Sequence, residues 1–272
     1  MSEHSSQRSQ QFLSRPVWSS IRALYKGMGY GDYDLSRPMI GIANSWNGAN
    51  PGHDNLRQVA ECVREGILQA GGTPVEFGII GPCDGMGCGN DGMHYILPAR
   101  DIIANEVETM VQINHLDGVV LLGSCDKVVP GLLMAAARLD LPAILVNGGP
   151  ALGGCVFNGR ESDNSTMVEA LAMLNDGAIT QEEYNRLEAD SNPSCGSCSF
   201  LGTANTMCAV AEAMGMCLPG TSMIPAVMAE RRRAARASGR RIVEMVREGL
   251  TARKVISRDG LENAVKLGMA IG

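Results

Sequence analysis

Asp117-Gly118-Val119-Val120-Leu121-Leu122, running directly into Gly123-Ser124-Cys125-Asp126-Lys127, is an apolar run that empties into a cluster of reactive side chains. A short continuous apolar stretch bounded by turn residues is the pattern of a strand buried on both faces of a parallel sheet. Its polar sequel then lies at a strand end, where open α/β sheets keep their ligands. Cys125 brings a soft metal ligand, Asp126 a hard one and Lys127 an amine, side by side.

Working outward, the same grammar repeats. Pro38–Ala43, Pro74–Ile80 and Pro142–Asn147 read as further strands, each followed by a polar or glycine-rich turn. Between them, Asp54 to about Ala70, Leu97–Val111 and Leu132–Leu139 carry apolar residues at helical spacing. Alternating strands and helices imply a doubly wound, mostly parallel α/β sheet with helices on both faces. A short helix is expected at Trp18–Met28. Beyond Gly154 the strand signals fade and helical ones take over at 167–174, 181–189, 203–214, 222–236, 242–250 and 261–271. The organisation read from this is a disordered tail over 1–15, an α/β core over 16–154 and a mainly helical extension of the same domain over 155–272.

The 272 residues carry a net charge of −6 and are 45% hydrophobic. That balance supplies ample core and disfavours nucleic acid and membrane surfaces as partners, because both are anionic and call for a basic face. No apolar run reaches the roughly 18 residues of a membrane span, so the expectation is a cytoplasmic protein acting on a small molecule. The basic run Arg231–Arg236, with Arg240 and Arg241, has no interleaved aromatics and reads as a solvated helix face.

Nine cysteines, an odd number in a large chain, point to reduced thiols rather than a disulfide framework. Cys62, Cys208 and Cys217 fall in helical stretches and read as buried fillers. Cys83, Cys88, Cys125, Cys195 and Cys198 sit in glycine-rich turns, where thiolates can converge on a soft metal or an iron–sulfur cluster. Cys195-Gly-Ser-Cys198 alone could equally be redox-active or zinc-binding. Asp84 and Asp126, at the ends of neighbouring units, are two carboxylates suited to Mg²⁺. Lys127 could orient a carboxylate substrate or carry a modification that makes it a ligand. Of the histidines, His53 is best placed for function, in the turn after the first strand.

Four segments together resemble the dihydroxy-acid dehydratase and phosphogluconate dehydratase family: Asn44-Ser-Trp-Asn with Pro51-Gly-His53, Cys83-Asp-Gly85 with Gly92-Met93, Ser124-Cys-Asp-Lys127 with Pro130-Gly131, and Cys195-Gly-Ser-Cys198 with Thr203-Ala-Asn-Thr-Met207. The resemblance implies dehydration of a 2,3-dihydroxy carboxylic acid to a 2-keto acid, as in branched-chain amino-acid synthesis. It implies an iron–sulfur cluster on Cys125 and Cys198, with Cys83 a candidate third ligand. It further implies Mg²⁺ on Asp84, Asp126 and Lys127, the lysine as a carbamate. Gly52 stands where the [2Fe–2S] subgroup has a cysteine, so the [4Fe–4S] type is expected. Asn90 and Cys88 depart from the pattern of many members and leave a sugar-acid substrate as the alternative. Family members continue into a second domain carrying a further Mg²⁺-binding glutamate and a serine base. The expectation is therefore an N-terminal portion, from a fragment or a split gene, with a homodimer as the full-length form. The rival from another class is a non-catalytic, cluster-binding half of a two-chain assembly.

Overall fold

The computed structural model describes residues 7–272. The chain begins with helix α1 (Arg8–Leu13), a single 3-10 turn at Pro16–Trp18, α2 (Ser19–Gly27) and the short α3 (Asp32–Leu35). Then come β1 (Met39–Asn44), α4 (Leu56–Gln69), β2 (Thr73–Gly78), α5 (Asp84–Gly87), α6 (Ile96–Ile113), β3 (Gly118–Leu122), α7 (Val128–Leu139) and β4 (Ala143–Val146). A two-residue hairpin follows, β5 (Val156–Phe157) with β6 (Arg160–Glu161). The remainder is helical: α8 (Thr166–Asn175), α9 (Gln181–Asp190), α10 (Thr203–Ala213), α11 (Ala229–Glu248), α12 (Ala252–Val255) and α13 (Arg258–Ile271).

The main sheet is wholly parallel, in the order β2-β1-β3-β4. The doubly wound α/β expectation holds. The chain leaves β1 toward one edge to make β2, then returns across β1 to build β3 and β4 toward the other edge. The reversal lies between β1 and β3, whose last residues Asn44 and Leu122 are paired. At such a point connections diverge above and below the sheet and leave a crevice.

Strand side chains alternate between the two faces. Met39 and Ala43 of β1, with Val119 and Leu121 of β3, join a core shared with α6, α7 and α10. Ile40 and Ile42, with Val120 and Leu122, join the core under α4 and α11. The helices beyond residue 154 thus complete the covering of the sheet.

Three expectations need correction. The tail read as disordered over 1–15 contains α1, and Asp117 is the reason. Its carboxylate accepts from the backbone N and hydroxyl of Ser9 and from the backbone N of Met39, pinning α1 to the first strand. Residues 1–6 lie outside the described residues. The helices expected at 222–236 and 242–250 are one, α11, which begins only at Ala229. Ser238-Gly239 does not break it, because Gly239 is where α11 crosses α4: a Cβ there would stand 2.2 Å from the carbonyl oxygen of Val63. The reciprocal contact is as tight, since a Cβ on Gly66 would stand 2.1 Å from the carbonyl oxygen of Arg236. Finally, α7 starts at Val128 rather than near Leu132, so Lys127 is its N-cap residue.

Candidate active site

The turn after β1 is built from its own polar residues. Asn50 accepts from the backbone N of Gly52 through Oδ1 and donates from Nδ2 to the Gly81 carbonyl, tying this turn to the one after β2. His53, fully buried, bridges to the turn after β3. Its Nδ1 lies 2.9 Å from the Ser45 carbonyl and its Nε2 accepts from the Ser124 backbone N at 3.1 Å. That pattern fixes the neutral tautomer with the proton on Nδ1, and burial lowers the ring pKa to about 4. His53 is therefore a brace between strand ends, not a proton-transfer group.

The brace sets Cys125. Its Sγ, in a buried side chain, lies 3.2 Å from Oδ1 of Asn50, and its carbonyl accepts from Val128 and Val129 as the first turn of α7 closes. Across from it, Cys83 is the N-cap residue of α5. The two thiols hydrogen-bond to one another, which pulls Cys83 down to about 6, aided by the Met86 and Gly85 amides, and pushes Cys125 up together with burial. Cys83 is thus the more acidic thiol of the pair, and the thiolate is the form that metals take up.

Cys198 arrives from a distant part of the sequence. Its turn is clamped beside β4: Ser197 N donates to the Gly149 carbonyl, and Ala151 N donates to the Ser197 carbonyl. Gly196 takes φ +136°, and a Cβ there would stand 2.3 Å from Ala151 N, so only glycine lets the turn lie this close. Burial raises the Cys198 thiol, with the charges of Asp84 and Cys83 adding to the effect. Cys83, Cys125 and Cys198 consequently line one cavity of about 200 Å³. Asp84 and Gly52 line it too.

Gly52 lies where a Cβ would be 2.9 Å from Cys125 Sγ, so the missing side chain keeps that side of the cavity clear. Asp126 and Lys127 sit beside this cavity rather than among its lining residues, joined by an ion pair of 2.6 Å. Asp126 Oδ1 is buried without a hydrogen-bond partner. Among the described residues, no three His, Cys, Asp or Glu side chains already stand in a metal-binding arrangement.

The model of the dihydroxy-acid/6-phosphogluconate dehydratase N-terminal region matches residues 37–272. The chain belongs to this dehydratase family. Among curated relatives, the dihydroxy-acid dehydratase of Ignicoccus hospitalis is 49% identical over 265 residues, 97% of this chain and 48% of that protein. That of Caldanaerobacter subterraneus subsp. tengcongensis is 49% identical over 251 residues, 92% of this chain and 45% of that protein. A Clostridium pasteurianum dihydroxy-acid dehydratase is 46% identical, with 92% of this chain and 87% of that sequence covered. The chain spans about half the length of the first two.

Within this dehydratase-family chain, the structure separates the turn cysteines. Cys88 is exposed, and Cys195 lines a different cavity from Cys198. All nine cysteines are free, and Cys62, Cys208 and Cys217 are buried, although Cys217 follows α10 rather than lying within it. Sequence reasoning passed over Asn50. An Asn next to Pro-Gly in a post-strand turn was its only signal. The basic run is also corrected in part: Arg231 is buried at 1% exposure.

Proposed function

We propose that the chain is the cluster- and metal-binding half of a dehydratase that converts a 2,3-dihydroxy carboxylic acid to a 2-keto acid. The observation carrying this reading is the meeting of Cys83, Cys125 and Cys198, 115 residues apart in sequence from first to last, in one cavity at the reversal of the sheet. Family membership and the relatives named dihydroxy-acid dehydratase support the reaction class. The donor set fits the groups proposed. Three thiols, one already acidic, suit an iron–sulfur cluster. The buried, unpartnered oxygen of Asp126, with Asp84 nearby in the cavity wall, suits a divalent cation that takes oxygen ligands.

In the reaction the C3–O bond breaks with loss of hydroxide, a proton leaves C2, and the resulting enol tautomerises to the 2-keto acid. When bound, the cluster and Mg²⁺ supply Lewis acidity toward the departing hydroxyl and the substrate carboxylate. Lys127 stands at the amino end of α7, where the helix-end amides favour an anionic group such as a lysine carbamate. As a carbamate, Lys127 would exchange its present pairing with Asp126 for a place beside it as a ligand. Asn50 and His53 hold the turns in register. His53, with both ring nitrogens engaged, takes no proton from substrate.

Anaerobic reconstitution with iron and sulfide tests the reading on the chain itself. Cluster absorbance is expected in the parent and in Cys88→Ser and Cys195→Ser, and its loss in Cys125→Ser and Cys198→Ser with the fold retained. A folded, colourless, iron-free parent protein would remove the cluster. For the substrate, the longer protein is to be assayed on 2,3-dihydroxyisovalerate and on aldonic acids. Activity confined to the latter would move the proposal to the sugar-acid reaction.

A further inference from the structure

The three cavity cysteines differ in what faces their sulfur. Cys83 receives the backbone amides of Met86 and Gly85, and Cys198 receives its own. Cys125 receives none. Among the described residues its Sγ meets the Cys83 thiol and Oδ1 of Asn50, the latter at 3.2 Å, and no N–H donates to it.

An asparagine amide can turn either its oxygen or its nitrogen toward a neighbour, and two backbone groups fix this one. Gly52 N, a donor, stands 2.9 Å from Oδ1, and the Gly81 carbonyl, an acceptor, stands 2.9 Å from Nδ2. A flipped amide would set N–H against N–H and oxygen against oxygen. Asn50 is 2% exposed, which leaves such a mismatch without solvent to relieve it. The atom presented to Cys125 is therefore an oxygen. Nor can the turn draw back, because Gly196 N, from the turn that carries Cys198, donates to the Pro51 carbonyl at 2.9 Å.

Oxygen rather than nitrogen matters once the sulfur is a ligand. A free thiol donates its S–H to Oδ1. A thiolate has no proton to give and faces the negative end of a buried amide dipole, where a low local dielectric strengthens the repulsion. Hydrogen bonds to the sulfurs are among the levers that set a cluster's potential: a donor stabilises the charge added on reduction, and an oxygen in its place opposes it.

We propose that Asn50 is a positioning residue that holds its amide oxygen against the Cys125 sulfur and so keeps the cluster at a low reduction potential, in its oxidised form. This role rests on the cluster-binding reading proposed above. Asn47 supplies the comparison. Its Nδ2 donates to the same Gly81 carbonyl at 2.9 Å and its Oδ1 accepts from Ala49 N at 3.0 Å, but among the described residues its side chain hydrogen-bonds no cysteine.

The test is a redox titration of the anaerobically reconstituted 272-residue chain, read by electron paramagnetic resonance and absorbance. Asn50→Ala is expected to raise the ratio of reduced to oxidised cluster about tenfold at a given poise, a shift of about 59 mV upward. Where Asn50→Ala fails to fold, Asn50→Ser carries the same expectation, because its shorter side chain withdraws the oxygen from the sulfur. Asn50→Asp, which keeps an oxygen there, is expected at or below the parent potential, and Asn47→Ala at the parent potential. A parent chain that takes up no cluster removes the cluster reading and this role with it. A loaded oxygen-removing variant at the parent potential overturns the role of Asn50 alone, as does an equal upward shift in Asn50→Asp or Asn47→Ala.

Discussion

Both ring nitrogens of His53 are engaged with backbone, and the ring is sealed from solvent, so a proton added there has no acceptor to meet. The folded pKa of about 4 lies below the ordinary 6.5. Between those values the unfolded chain binds more protons than the folded one. Stability is therefore complete above about pH 6.5 and falls as the pH drops toward 4, by about 3 kcal/mol in all. Urea unfolding from pH 7 to 5 should show this slope in the parent and a shallower one in His53→Gln; equal slopes would remove His53 as the cause. The thiols belong to the same scale. With the acidic member of the Cys83–Cys125 pair at about 6, Cys83 should be the faster of the two to react with iodoacetamide at pH 7, and Cys125 the slower because it is buried and raised. Peptide mapping after brief alkylation decides the order, and a faster Cys125 would reverse the assignment.

The pair α4 and α11 depends on two glycines that are otherwise poor helix formers. At Gly66 and Gly239 a methyl group would run into the partner's backbone, which a rotamer change cannot relieve. Gly66→Ala and Gly239→Ala should each destabilise by about 2–4 kcal/mol, despite the gain of up to about 1 kcal/mol in helix propensity. Gly268→Ala in α13, with nothing within 4 Å of the added Cβ, should keep that gain and be neutral or stabilising. Thermal denaturation of the three proteins checks the contrast, and similar shifts in all three would show that contact at the crossing is not the reason. On the surface of α13, Leu261, Val265 and Met269 form an exposed apolar line while Ala264 packs inward.

For the whole molecule, Asp117 joins the amino-terminal helix to the sheet. It holds Ser9 and Met39 together through three hydrogen bonds, while burial pushes its carboxyl up against the pull of those donors. Asp117→Ala should cost about 2–4 kcal/mol, since it leaves buried backbone donors unpaired. It should also expose the 8–15 segment to limited proteolysis; cleavage there at the parent's rate would mean that α1 is held by its apolar contacts alone. On the opposite face α11 completes the cover of β3 and β4, so removing residues beyond 228 should unfold the sheet rather than trim an appendage.

The parallel sheet and its reactive strand ends were legible in the sequence, because buried strands and crossover helices leave periodic apolar patterns that need no partner to be read. Cys125, Asp126 and Lys127 were legible for the same reason, being local to one such strand end. Other features arise from segments far apart in the chain. The selection of Cys83, Cys125 and Cys198 over Cys88 and Cys195 follows from how the turns are clamped by Asn50, His53 and the Gly149–Ser197 backbone contacts. The persistence of α11 through Ser238-Gly239 follows from the close approach of α4. The ordering of α1 follows from a carboxylate 108 residues away. Local pattern fixes an element's type and which face it buries. Which side chains meet, and which glycines are contacts rather than breaks, is decided by close packing between elements, where backbone shape and hydrogen-bond satisfaction set the answer.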